Sequence, residues 1–79
     1  MVKFTSVELR KTSSRKGSCR QIWVSGKDGA WEFQQGKGYV FAVSGVLVVL
    51  DSLTDAPIAV LADDVALSDY CAHRFGVRP

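Results

Sequence analysis

The sequence predicts an α+β fold: an antiparallel meander of four or five strands with one C-terminal helix packed on it. Apolar and polar residues alternate with a period of two through much of the chain, Gly-, Ser- and Asp-containing turn signals separate the alternating runs, and only residues 63–76 carry apolar side chains at helical spacing. With 79 residues, 47% of them hydrophobic, the chain holds enough apolar material for one core and not for two. One domain over residues 1–79 is expected. Domains this small are often reinforced by association, so a homodimer is also expected.

Val2 to Leu9 reads as the first strand. Val2 and Phe4 share one face while Val7 and Leu9 are out of phase with them, which calls for a bulge near Ser6. Residues 10–20 read as a basic loop, because Thr12, Ser13, Ser14, Gly17 and Ser18 favour irregular backbone and clustered like charges resist compaction. Gln21 to Ser25 and Ala30 to Gln34 form a hairpin through Gly26-Lys27-Asp28-Gly29. In that hairpin Ile22 and Val24 share a face opposite Trp23 and Ser25, and Trp31 and Phe33 share a face opposite Glu32 and Gln34.

Gly36-Lys37-Gly38 is expected to turn the chain into Tyr39 to Val43. Ser44-Gly45 then bends it into Val46 to Leu50. Both faces of these two segments are apolar, the mark of strands covered above and below. A turn at Leu53 to Pro57 leads to a short strand, Ile58 to Leu61, with Pro57 tolerated at its start. Asp63 is placed to cap a helix running to about Phe75, Asp64 suits the positive end of the helix dipole, and Gly76 stops it. Val65, Leu67, Cys71, Ala72 and Phe75 fall on one stripe of that helix, which packs on the sheet.

Charge is unevenly divided. Eight Lys/Arg and three Asp/Glu precede position 40, about +5, whereas two and five follow it, about −3, although the total is only +2. Five of the ten cations, Arg10, Lys11, Arg15, Lys16 and Arg20, lie in the expected loop. Bound to nucleic acid they would neutralise phosphates. Against a protein they would steer association with an acidic patch. Short cationic clusters also occur as plain solvated loops. Trp23, close to the loop, is the best base-stacking residue in the nucleic-acid reading, and the cover of a local apolar cluster in the plainer one. Asp51, Asp55, Asp63, Asp64 and Asp69 form the opposite pole, suited to a groove built for phosphates or simply to capping and solubility.

Catalytic chemistry finds little support. His73 and Cys71 point about 200° apart around their helix, and no spaced carboxylate pair stands out. Two cysteines and one histidine do not make a closed zinc site, so neither a metal nor a cofactor is expected. Cys71, with Leu67 and Phe75 one turn to either side, is a small buried hydrophobe or, if that edge is exposed, a dimer contact able to form an intermolecular disulfide. Cys19, among cations, is the more reactive thiol if exposed. The N-terminal residues lack the apolar stretch of a secretory signal, and the run from Tyr39 to Leu50 is too short to span a membrane. A cytoplasmic protein without membrane contact is expected.

In its size, its lack of a catalytic signature, its α+β pattern and its charge-divided surface, the chain resembles small phage-encoded anti-CRISPR proteins. The likeness covers the whole chain and rests on no residue motif. It implies a non-enzymatic inhibitor that binds a host protein or ribonucleoprotein complex and occludes it, such as a type I surveillance complex prevented from binding nucleic acid. Many such inhibitors are strongly acidic, whereas this chain is slightly basic. If a DNA-binding groove is the target, the aspartate-rich half is the part expected to enter it. The alternative is a small nucleic-acid-binding protein using residues 10–20.

Overall fold

The computed structural model describes residues 1–79. Five strands, β1 (Val2–Ser14), β2 (Gly17–Asp28), β3 (Trp31–Val43), β4 (Val46–Leu50) and β5 (Pro57–Leu61), precede one helix, α1 (Asp64–Phe75). The strands pair antiparallel in chain order, so the expected meander is present at its upper strand number. Sequential hairpins of this kind need only tight turns, and three of the four connections are two residues long. Arg15-Lys16 joins the Ser14↔Gly17 pair, Gly29-Ala30 joins Asp28↔Trp31, and Ser44-Gly45 joins Val43↔Val46. Ser44 and Gly45 both have positive φ, 50° and 83°. That is the mirror-image turn whose twist matches a hairpin.

The expected basic loop is not a loop. Residues 10–14 continue β1, residues 17–20 begin β2, and the two pair without interruption from Ser6↔Ser25 to Ser14↔Gly17. Residues 11–18 are exposed on both faces, so no apolar alternation was present to signal strands. The expected turn at Gly36-Lys37-Gly38 is likewise a bulge inside a continuous β3, where Ile22 pairs with Gly38 and Trp23 with Gly36, leaving Lys37 extra. Gly38 is needed for close approach, since a Cβ there would lie 2.9 Å from the Leu50 carbonyl oxygen. The β1 bulge falls between Phe4 and Ser6, and it brings Phe4 and Val7 to the same face.

That face carries the core. Val7, Ile22, Val24, Val40 and Val49 from four strands meet Leu67 and Cys71 of α1, with Phe4, Leu9, Leu47, Ala59, Leu61, Tyr70 and Phe75 packed around them. Phe4 meets Phe75 edge-on at 5.6 Å between ring centroids. Asp63 caps α1 by accepting a hydrogen bond from the Ala66 N–H at 2.9 Å. Gly76, at φ 79°, ends it with its own N–H bonded to the Ala72 carbonyl. Val65, expected on the buried stripe, is 70% exposed, and Trp31 is 80% exposed because it lies at the turn, beyond Phe33 and the reach of the helix.

Candidate binding face

With α1 covering one side, the other side of the sheet has no layer over it. The expectation that Tyr39–Val43 and Val46–Leu50 are covered above and below therefore fails on this side for Phe41, Val43, Val46 and Val48, although Leu50 is buried. Register places Phe41, Val48 and Val60 in one cross-strand row and Val43 and Val46 in the next. Val43 is 49% and Val60 67% exposed, while Phe41, Val46 and Val48 are half-buried. These five make a contiguous apolar strip. The sequence signalled it as apolarity on both faces of residues 39–50, a pattern that did not show which face would stay open.

Further across this face stands Trp23, half-buried, with its indole N–H donating to Gln21 Oε1 at 2.9 Å. The Arg10 guanidinium lies over the indole at 4.7 Å from the ring centroid and is held by both Glu8 carboxylate oxygens, at 3.1 and 3.2 Å. One face of Trp23 is thus already occupied by a cation, which weakens its assignment as a base-stacking platform.

The five cations expected to act together are distributed by strand geometry. Arg10 pairs with Gln21 and sits on the open face, whereas Lys11 pairs with Arg20 on the helix face. Arg20 is bound to Asp64 at 2.8 Å, the residue at the start of α1. Arg15 and Lys16 form the tip of the β1–β2 arm. The last β2–β3 pair is Arg20↔Val40, so residues 17–19 extend beyond the paired part of β3. Lys11, Arg15 and Lys16 have no carboxylate within 4.0 Å. These are the cations available to a partner.

The aspartates do not form one acidic face. Asp51 is occupied in the β4–β5 turn, where its Oδ2 accepts from the Leu53 N–H, the Thr54 N–H and the Thr54 hydroxyl at 2.9, 2.9 and 3.1 Å. The two backbone donors hold its carboxyl below the usual value of 3.8. Asp55 sits in the same turn with φ 59°. Asp63 and Asp64 lie at the other end of β5, the first capping α1 and the second paired with Arg20. Asp69 accepts from Arg78 at 2.7 Å.

Cys71 and Leu67 are both fully buried beneath α1, and Phe75 is half-buried against Phe4. The expected dimer contact through these residues is therefore corrected: the stripe faces the protein's own core. Burial also pushes the Cys71 thiol above its ordinary pKa of 9.0. Cys19 is buried as well, at 8% exposure, which removes the condition on which its reactivity rested. His73 is exposed on the far side of α1 and, with Arg74, Tyr70 and Asp51, borders a shallow depression. No group of three or more His, Cys, Asp or Glu residues is arranged to hold a metal ion. No helix is long and apolar enough to cross a membrane. No protein-family model, characterised protein or solved structure matches the chain.

Proposed function

We propose that the chain is a non-enzymatic binding protein of the host cytoplasm that lays its open sheet face against a host protein or ribonucleoprotein complex and occludes it. The observation that carries this reading is the apolar strip of Phe41, Val43, Val46, Val48 and Val60 beside the unpaired cations Arg15 and Lys16. A protein interface combines an apolar centre with a polar and charged rim. Four of the five strip residues are valine, which offers no π face to a base and fits an apolar protein surface. The cations of the arm tip then meet an acidic patch on that surface and steer the encounter. The aspartates are not the entering element in this reading, because capping, turn formation and ion pairing already occupy all of them except Asp55. Inhibition by occlusion follows from the anti-CRISPR resemblance and rests on it.

The test is affinity capture of host complexes from a bacterial lysate with wild type, Val60→Asp, Arg15→Glu with Lys16→Glu, and Lys3→Glu as a remote control. All these side chains are exposed, so folding is retained. The expected result is one specific complex held by wild type and the control and lost by both face variants. A complex held equally by all four proteins, or by none, refutes the assignment of the face.

A further inference from the structure

The geometry points to a nucleoside-phosphate site beneath the tip of the β1–β2 arm. This inference goes beyond occlusion of a protein partner and does not rest on it. A depression of about 420 Å³ lies between the arm tip, the open face of β3 and the β4–β5 turn. Small-molecule sites occupy about 300–1,000 Å³, so one nucleotide is accommodated.

Three chemistries converge there. Arg15 and Lys16 line one wall, neither with a carboxylate within 4.0 Å. Tyr39 and Phe41, two residues apart on β3 and both half-buried, line the floor. Alternate residues of a strand project from one face about 7 Å apart, so the rings are neighbours. Ser52 and Asp55 line the far wall. Both lining walls are preorganised. On the arm side, the Lys16 N–H donates to Ser14 Oγ at 3.1 Å within a two-residue turn. On the other, the Asp51 carboxylate clamps the turn, and the Asp51 N–H donates to the Ala56 carbonyl at 2.8 Å.

The combination selects the ligand class. Inorganic phosphate would use the two cations and leave the rings idle. An acidic peptide seated in the depression would likewise leave the rings without a stacking partner. A nucleoside phosphate uses every wall: phosphate at Arg15 and Lys16, the base on the aromatic floor, and a ribose hydroxyl or base N–H donating to Asp55 or Ser52. A free nucleotide and one unit of a single strand present the same chemistry.

The test is amide chemical-shift titration of the 79-residue protein with AMP, a short oligoadenylate, inorganic phosphate and oligoglutamate. Ligand is taken to about 10 mM, which detects dissociation constants near 1 mM. Saturable shifts at Tyr39, Phe41, Ser52 and Asp55 are expected with AMP and the oligonucleotide. Tighter binding of the oligonucleotide identifies a single strand as the ligand, and equal or weaker binding a free nucleotide. Arg15→Gln with Lys16→Gln should weaken binding about tenfold, as loss of charge-assisted contacts requires. Phe41→Leu keeps apolar volume and should weaken it about fivefold through lost stacking. Asp55→Asn tolerates the same backbone conformation and should narrow the preference for AMP over phosphate. No saturable shift with either nucleotide ligand overturns the inference, as does phosphate or oligoglutamate matching AMP.

Discussion

Leu67 and Val65 lie two residues apart on α1, are both aliphatic, and fall on the same sequence stripe, yet Leu67 has 0% exposure and Val65 70%. Truncation to alanine should therefore give opposite signs. Leu67→Ala removes three carbon groups from the centre of a seven-residue core. At about 0.8 kcal/mol for each buried group the transfer loss is about 2.4 kcal/mol, and incomplete collapse of the cavity brings the total to about 3 kcal/mol. A chain of this length has about 4–12 kcal/mol of total stability, so the loss is a quarter or more of it. The melting temperature should fall by about 12–24 °C. Val65→Ala loses little burial and gains helix propensity, so its effect should lie between zero and about 0.5 kcal/mol of stabilisation. Urea denaturation at fixed protein concentration, followed by circular dichroism, measures both. A loss of more than about 1 kcal/mol for Val65→Ala would show that this side of α1 is covered in solution, and the docking geometry argued from Leu67 would fail.

Three further outcomes follow from other parts of the molecule. Cys71, enclosed under α1 with its thiol pKa raised by burial, should resist alkylation in the native protein and react at the unfolded-thiol rate in denaturant; rapid native-state labelling, or a covalent dimer through Cys71, would contradict its placement. Gly26→Ala should destabilise by about 1–3 kcal/mol, because the new Cβ would stand 2.5 Å from the Lys3 carbonyl oxygen and 2.7 Å from the Phe33 ring, and an unchanged urea midpoint would refute that close approach. Asp51 has a folded pKa below its ordinary 3.8, so its stabilising contribution is present above that value and is lost as pH falls through the folded pKa. The stability difference between wild type and Asp51→Ala should thus shrink on acidification below pH 3.8, and a constant difference would refute the assigned hydrogen bonds.

The limits of the helix were legible because their signals are local: Asp63 supplies the cap, Gly76 the left-handed stop, and both do so within one turn of the residues they serve. The Ser6 bulge was legible for a similar reason, since Phe4 and Val7 have to change phase to share a face. Covering layers were not legible. Both faces of residues 39–50 are apolar, and only the tertiary arrangement shows that one helix covers one of them. Gly36 and Gly38 were equally ambiguous, as turn formers or as residues that admit close neighbours. A Cβ at Gly38 would stand 2.9 Å from the Leu50 carbonyl oxygen, so close packing explains that glycine, whereas at Gly36 the nearest atom is the mobile end of the Gln21 side chain.

The basic segment shows how a change in local structure alters a functional argument. In a loop, five cations can gather on one surface, and their summed charge decides the partner. In a strand, adjacent side chains take opposite faces, so Arg10 and Lys11 cannot serve the same flat surface. The hairpin register then gives each cation a different neighbour: Arg10 meets Glu8 and Trp23, and Arg20 meets Asp64. Only at the tip, where the two-residue turn releases the chain from alternation, do two adjacent cations remain together and unpaired. Those two border Tyr39 and Phe41 on the uncovered face. In the proposed reading, recognition by this segment therefore depends less on its total charge than on what its tip holds above the sheet. A charge-neutralising substitution at Arg20 should leave nucleotide binding beneath the tip unchanged, whereas the same substitution at Arg15 and Lys16 should weaken it about tenfold.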